Sequence, residues 1–192
     1  MFLYLGAVDI NFLWLFGKSP GFSQIMNPNT SEASEIYSAD GRLIGKYFNE
    51  NRTPVTYGEV NPIFWKTLID TEDERFYEHS GIDIRGTMRA MVYLGSKGGA
   101  STISQQLAKQ LFHKEKTRGI ARYTQKIKEW IIATRLEKQY TKEEILTMYF
   151  NIYDFNNNAD GIRSAAKIYF DKEPKQLKIE EGAMLVGMFK NS

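Results

Sequence analysis

Helix start signals follow one another from Asn61 to the end of the chain and leave little room for a sheet. Asn61 followed by Pro62 is typical of a helix N-terminus, with Asn as the cap and Pro in the first turn. Apolar residues then recur at the spacing of a helix face. Six further helices are predicted after this one. They begin at Asp83, Ser101, Arg122, Thr141, Asp160 and Ile179.

Before Asn61 the pattern is different. The Asp40-Gly41 pair lies between two short apolar segments, Glu35–Ser38 and Leu43–Phe48, which predicts a β-hairpin. Residues 17–34 are rich in Gly, Pro, Asn and Ser, as linkers are. We therefore predict a mainly α fold with a short N-terminal β-hairpin.

The first stretch, Phe2–Phe16, is apolar but interrupted by Asp9 and Asn11. It is shorter than the ~20 residues that span a bilayer. Either it is an ordinary buried segment, or it is the outer end of a membrane helix whose beginning is missing. We prefer the second interpretation. Because the chain stops soon after the apolar run Ala183–Phe189, we also expect a C-terminally truncated domain.

Composition excludes two classes of protein. A net charge of +2 is too small for a strong nucleic-acid binder, and the absence of cysteine excludes disulfides and thiolate zinc sites.

A first candidate cluster is the acidic run Glu72-Asp73-Glu74, followed by Phe76 and His79. Acidic residues at the end of a helix are usually only solvated. A carboxylate partly buried among aromatic side chains is, however, well suited to act as a general base.

A second cluster lies at the predicted start of the third helix, where Gly98-Gly99 precede Ser101 and Thr102. Free backbone N–H groups at such a start can face an anion. Gln105 and Lys109 share one helix face, and Gln106 lies beside Lys109. The cluster is either a capped amphipathic helix or part of a binding site.

A third cluster is basic. Between Leu107 and Gln139 there are nine Lys and Arg residues and three acidic residues, which gives a net charge of +6. Because the whole chain has a net charge of +2, the remaining residues carry −4. Arg122, Lys126 and Glu129 lie on one helix face. Charged stripes are usually solvated, but this concentration favours a polyanionic ligand such as a diphosphate. The Ser164-x-x-Lys167 pattern of serine transpeptidases lacks its companion motifs, so we reject that interpretation.

Taken in order, five segments resemble the motifs of glycosyltransferase family 51, the peptidoglycan glycosyltransferase domains of class A penicillin-binding proteins. The segments are Glu72–Gly81, Gly99–Lys109, Lys126–Glu137, Lys142–Asn151 and Gly161–Phe170. The resemblance implies a lysozyme-like helical fold that joins a growing glycan to lipid II. Inversion at the donor anomeric carbon would release polyprenyl pyrophosphate.

The resemblance also implies roles for individual residues. Glu72 would be the general base, and Glu129 the second glutamate, near the donor diphosphate. Substrate-binding residues would be Arg89, Ser101, Thr102, Gln105, Gln106, Lys109, Lys126, Lys128 and Asn151, with either Arg118 or Arg122 as the phosphate-binding arginine. A divalent cation (Mg or Mn) is an expectation from the family alone.

The resemblance has departures and leaves alternatives open. Gln125 replaces the usual arginine of the third motif, and Tyr153–Asn156 replace an aromatic-glycine element. A lysozyme-like glycan-cleaving enzyme also uses paired glutamates, and a non-catalytic glycan- or lipid-binding scaffold is a third hypothesis. A transpeptidase domain further along and a monofunctional enzyme are both compatible with these residues, and the hairpin-bearing linker favours the first.

The expected organisation follows. Residues 1–16 would be membrane-proximal, 17–50 a linker with the hairpin, and 51–192 the glycosyltransferase domain. Expected partners are lipid II, the glycan strand, membrane lipid and other cell-wall synthesis proteins, and no nucleic acid. The expected location is the outer face of a bacterial plasma membrane.

Overall fold

The computed structural model describes residues 34–47, 53–93, 100–112 and 120–191. These residues are mainly helical, which confirms the mainly α part of the predicted fold. The helices are α1 Pro62–Glu72, α2 Ile84–Val92, α3 Ile103–Phe112, α4 Ile120–Gln139, α5 Lys142–Ile152, α6 Gly161–Phe170 and α7 Ile179–Gly187. Short 3-10 turns cover Tyr57–Glu59, Phe76–Glu78, Pro174–Gln176 and Met188–Asn191.

Two strands, β1 Ser34–Tyr37 and β2 Leu43–Tyr47, pair antiparallel. Their register joins Ser34 to Tyr47 and shifts between Ile36 and Tyr37. Gly41 closes the connection with φ +81, a left-handed conformation that glycine adopts without strain. The predicted membrane-proximal segment 1–16 lies outside the described residues. Within them, no helix has both the length and the apolar character needed to cross a bilayer.

Three helix starts show how local chemistry fixes the elements. The side chain of Asn61 accepts a hydrogen bond from Ile63 N at 3.1 Å, and that of Asp83 accepts one from Gly86 N at 3.0 Å. Thr141 and Glu144 form the predicted capping box, with Glu144 Oε2 accepting from Thr141 N at 2.7 Å. These pairs satisfy N–H groups that a helix end leaves free.

The chain divides into two compact units. The described part of the first covers residues 72–93, 100–112 and 120–145. In it α3 packs against α4. The buried apolar side chains on these two helices include Ile103, Leu107, Ile132 and Leu136.

The described part of the second unit covers residues 34–47, 53–71 and 146–191. Its core is aromatic. The rings of Tyr153 and Phe189 have centroids 4.1 Å apart, and Trp65 lies 4.9 Å from Phe150. Gly182 packs so closely on Phe64 that an added Cβ would come within 2.5 Å of the ring.

Candidate active site

Glu72 is the last residue of α1 and is half-buried. Its Oε2 accepts a hydrogen bond from Nε2 of Gln106, on α3, at 3.0 Å. This contact joins two residues that are 34 positions apart in the sequence. The carboxylate is therefore oriented by α3 and still reaches solvent.

A small cavity of about 60 Å³ lies directly beside Glu72. Four of the residues predicted for the site line it together, namely Glu72, Arg89, Ser101 and Thr102. The other lining residues are Asp73, Glu74, Arg75, Asp83, Gly86 and Ala100. The structure thus brings the first two sequence clusters to one place.

Lys126, on α4, extends this cluster toward Glu129. Its Nζ donates to Ser101 Oγ at 2.8 Å and lies 3.2 Å from Glu129 Oε2. Gln125 donates from Nε2 to the other carboxylate oxygen of Glu129 at 3.2 Å. Ser101, which lines the cavity with Glu72, is therefore linked through one ammonium group to the second predicted glutamate.

Asp73 holds the segment after Glu72 in place. Both of its carboxylate oxygens lie 3.0 Å from His79 Nε2, and Oδ2 also accepts from Ile103 N at 3.0 Å. Gly81 N donates to His79 Nδ1 at 3.2 Å, so the proton of a neutral imidazole is on Nε2. Both side chains are buried. His79 therefore has a structural role, and Asp73 fixes the start of α3 relative to Glu72.

Gly81 brings the loop against the backbone of α4. Its φ is +92, and an added Cβ would lie 2.8 Å from the carbonyl carbon of Ala133. The Gly81 carbonyl accepts from Thr102 Oγ1 at 2.8 Å and from Gln105 Nε2 at 3.1 Å. Thr102 and Gln105 are each only 1% exposed. These side-chain contacts orient the loop, and the predicted substrate-binding roles of both residues stay predictions.

A second set of polar side chains contacts the segment around His79. Lys142 donates from Nζ to the His79 carbonyl at 2.7 Å and to Glu137 at 2.8 Å, and its Nζ lies 4.2 Å from the centre of the Phe76 ring. Ser104 Oγ donates to the same Glu137 at 2.5 Å. Glu137 is only 4% exposed, so these partners satisfy a carboxylate that has little contact with water.

Arg75 and Asp83 form an ion pair on the other side of the cavity. Nη2 of Arg75 lies 2.5 Å from Oδ2 of Asp83. Burial acts to raise the pKa of Asp83, but the hydrogen bonds from Arg75 and from the Gly86 backbone outweigh it and lower that pKa. The hydrogen bond to Asp83 raises the pKa of Arg75. Both groups are therefore charged at neutral pH.

The other predicted cations differ in their surroundings. Lys109 and Arg122 are exposed, whereas Lys128 is 8% exposed and burial lowers its pKa. Arg118 lies outside the described residues. The choice between Arg118 and Arg122 therefore stays open.

Asn151 is placed in the second unit. Its Oδ1 accepts from Val55 N at 2.8 Å, and its Nδ2 donates to the Val55 carbonyl at 2.9 Å. The amide thus fixes the segment around Val55. The substrate-binding role predicted for Asn151 stays a prediction.

The arrangement around Glu72 suits proton transfer beside an anion. A half-buried carboxylate faces a cavity that also carries the Arg89 side chain and the Ser101 hydroxyl, which Lys126 contacts. A carboxylate in reach of a hydroxyl can accept its proton, and nearby cations stabilise a departing anion.

Comparison with known families supplies the deciding observation. The transglycosylase family model matches residues 40–192. The chain belongs to this transglycosylase family. The match covers both predicted glutamates and the five motifs that were identified in the sequence.

Relatives of the transglycosylase chain are proteins described as penicillin-binding protein 1A. The chain is 38% identical to the one from Escherichia coli (strain K12) over 97% of its own length and 22% of the relative. Identity is 37% to that of Neisseria cinerea over 96% of the chain and 23% of the relative. The chain is 34% identical to the protein from Pseudomonas aeruginosa over 92% of its own length and 22% of the relative. The chain thus spans less than a quarter of the length of these relatives.

Several residues that shape this transglycosylase site were not predicted for it. Arg75, Asp83, Glu137 and Lys142 all make contacts around the cavity or the loop behind it. Lys142 and Glu137 are five positions apart, so no single-turn spacing signals their pairing. Asp83 was visible in the sequence as a helix cap, whereas Arg75, Glu137 and Lys142 were visible only as members of the motif segments.

Proposed function

We propose that this transglycosylase chain is a peptidoglycan glycosyltransferase that polymerises lipid II into glycan strands. The single observation that carries the proposal is the continuous contact from the Glu72 cavity through Ser101 and Lys126 to Glu129. Membership of the transglycosylase family and the relatives described as penicillin-binding protein 1A support it. The lysozyme-like fold is part of the same proposal.

In the proposed reaction, Glu72 takes the proton of the acceptor 4-hydroxyl group. The hydroxyl oxygen forms a bond to C1 of the donor sugar, and the bond from C1 to the diphosphate oxygen breaks. The configuration at C1 inverts, and polyprenyl diphosphate leaves with the electron pair. Gln106 keeps the Glu72 carboxylate oriented for this step.

Cations stabilise the departing diphosphate in this proposal. Lys126 is the best placed of the described cations, because it already contacts Ser101 at the cavity and Glu129 beside it. Lys109 and Lys128, with Arg118 or Arg122, would add positive charge. Gln125 supplies a hydrogen bond to Glu129 where the family usually has an arginine, so the remaining cations carry more of the charge.

The described residues do not support a site for a permanently bound metal ion. Among them there is no group of three or more His, Asp or Glu side chains that could hold an ion. We propose that a divalent cation, where one takes part, enters with the diphosphate oxygens as its main ligands.

The wider setting is proposed from the family. We propose that residues 1–16 form the outer end of a membrane anchor, that 17–50 with the β1–β2 hairpin link it to the catalytic domain, and that 51–192 form that domain. The catalytic domain would face outward from a bacterial plasma membrane, with lipid II, the glycan strand, membrane lipid and other cell-wall synthesis proteins as partners.

Labelled lipid II tests the central proposal. Incubation with the chain in detergent micelles should give long glycan strands on a gel. Glu72→Gln should lower the rate about 10²- to 10⁴-fold, the usual contribution of a general base. The exposed Glu180→Gln should polymerise at the wild-type rate. Digestion of preformed glycan without polymerisation would favour the lysozyme-like alternative, and binding without either reaction would favour the scaffold.

A further inference from the structure

A second and larger cavity lies in the first unit, with a volume of about 480 Å³. It shares Arg75 and Asp83 with the cavity beside Glu72. The other residues that line it are Glu78, His79, Ser80, Ile82, Ile84, Arg85 and Thr134. Its volume is in the range of ligand sites, about 300–1,000 Å³. We call this cavity the side groove.

The wall between the two cavities is an ion pair. Arg75 and Asp83 are held together at 2.5 Å and line both spaces. A ligand whose reacting end lies at Glu72 would therefore lie next to the side groove. The two cavities are adjacent parts of one surface within the unit.

The side groove offers separated charges of both signs. Arg85 Nη1 lies 4.0 Å from Glu78 Oε2, and their side chains are 84% and 65% exposed. A pair so long and so exposed contributes little in water, so either charge can turn to a ligand at small cost. Arg75 and Asp83 neutralise each other. The lining is therefore zwitterionic, unlike the basic stretch expected to bind a polyanion.

Apolar contact is available beside these charges. Ile84 is 72% exposed although it lines the side groove, and Ile82 lies on the same lining. Thr134, on α4, also lines the side groove. The complement of this surface is a short peptide with a carboxylate, an ammonium group and small apolar side chains. A bare sugar or a lipid chain would leave the charges unmatched.

We propose that the side groove binds the stem peptide carried by the acceptor glycan precursor. The inference rests on the proposed function, because that function places a peptide-bearing sugar at Glu72. In this arrangement Arg85 pairs with a peptide carboxylate, Glu78 with its ammonium group, and Ile82 and Ile84 contact its small side chains. The groove thereby selects an acceptor with a complete peptide.

Two substrates separate this role from a general effect on catalysis. One is lipid II with its full stem pentapeptide, and the other is the same lipid-linked disaccharide without a peptide. Thr134→Trp should fill the groove and lower kcat/KM about tenfold for the first substrate only, which corresponds to the loss of about one charged hydrogen bond. Arg85→Ala tests the same effect at an exposed position, and Lys138→Ala is the matched control on α4.

Every outcome bears on the proposal. An equal loss with both substrates, or no loss with either, overturns it. Polymerisation of neither substrate by the wild-type chain would count against the proposed function itself. In that case calorimetry with the free pentapeptide tests peptide binding in the side groove separately from polymerisation. Binding that disappears in Thr134→Trp and weakens in Arg85→Ala supports the groove, and no binding to the wild-type chain overturns it.

Discussion

Lys126 Nζ lies 2.8 Å from the hydroxyl oxygen of Ser101, which precedes α3, while Lys126 itself is part of α4. The same nitrogen is 3.2 Å from Glu129. Because Ser101 also lines the cavity beside Glu72, this one contact connects that cavity to Glu129, the second predicted glutamate. The roles of Ser101 and Lys126 should therefore depend on each other.

A double-mutant cycle measures that dependence. Ser101→Ala and Lys126→Met should each reduce kcat/KM for lipid II, and the double variant should lose less than the product of the two effects. A coupling of about 1–2 kcal/mol is expected for a hydrogen bond to a charged group. Strict additivity would show that the contact has no part in catalysis. Lys138→Met, on the same helix, should leave the rate unchanged.

Gly81→Ala should destabilise the chain by about 2–4 kcal/mol. The substitution combines strain at φ +92 with a Cβ only 2.8 Å from the Ala133 backbone, which cannot move away as a flexible side chain can. Urea unfolding gives the difference. Gly58→Ala is the matched control, because nothing lies within 4 Å of its added Cβ and its φ is not positive. An equal effect at both positions would contradict the close approach of the loop to α4.

Lys142→Met should cost about 3 kcal/mol of stability, because it leaves the buried Glu137 carboxylate without its cation. The added substitution Glu137→Gln should recover part of that loss by removing the unpaired charge. The free energy of unfolding of the two single variants and the double variant tests this. A double variant as unstable as the sum of the single ones would show that the pair is not coupled.

The helix starts could be predicted from the sequence because their chemistry is local. The side chains of Asn61, Asp83 and Thr141 each accept a hydrogen bond from an N–H group within three residues. At α3 the predicted start was Ser101, whereas the helix begins at Ile103 and Gln105 N bonds to Thr102 Oγ1. Two adjacent hydroxyl residues can both cap, and only the tertiary contact of Thr102 with Gly81 favours one of them.

The site was predicted as a set of motifs, but the buried or exposed state of its members was not. Gln105 and Lys109 share a helix face by spacing, yet Gln105 is buried beside Gly81 and Lys109 is exposed. The difference arises because only the first turn of α3 meets the loop. Contacts such as Asp73 with Ile103 join positions 30 residues apart and leave no periodic signal.

Acid should weaken the second unit through Glu59. Hydrogen bonds from the Thr56 backbone and side chain, and then from Arg163, lower the pKa of Glu59 to about 2. A lowered carboxylate pKa means that this stabilisation is complete above about pH 5 and is lost as the pH falls toward 2. Since Glu59 is 46% exposed, we expect about 1 kcal/mol or less.

Urea unfolding at pH 7, 4.5 and 3 tests the Glu59 prediction. Glu59→Gln should flatten part of the acid dependence, and the exposed Asp70→Asn should not. An identical acid dependence in wild type and Glu59→Gln would show that the Glu59 carboxylate, with its Thr56 and Arg163 contacts, does not contribute to that dependence.

Lys128 should make substrate binding depend on pH at the alkaline end. Burial lowers its pKa, so it loses its positive charge at a lower pH than an exposed lysine does. If Lys128 neutralises the diphosphate, the KM for lipid II should rise on the alkaline side, beginning below the ordinary lysine pKa of about 10.4. Lys128→Arg keeps its charge throughout and should move that rise to higher pH. KM measured from pH 7 to 10 for wild type, Lys128→Arg and the exposed control Lys138→Arg decides the matter. A rise at the same pH in all three would show that the titrating group is not Lys128, because only Lys128→Arg removes a buried ammonium group.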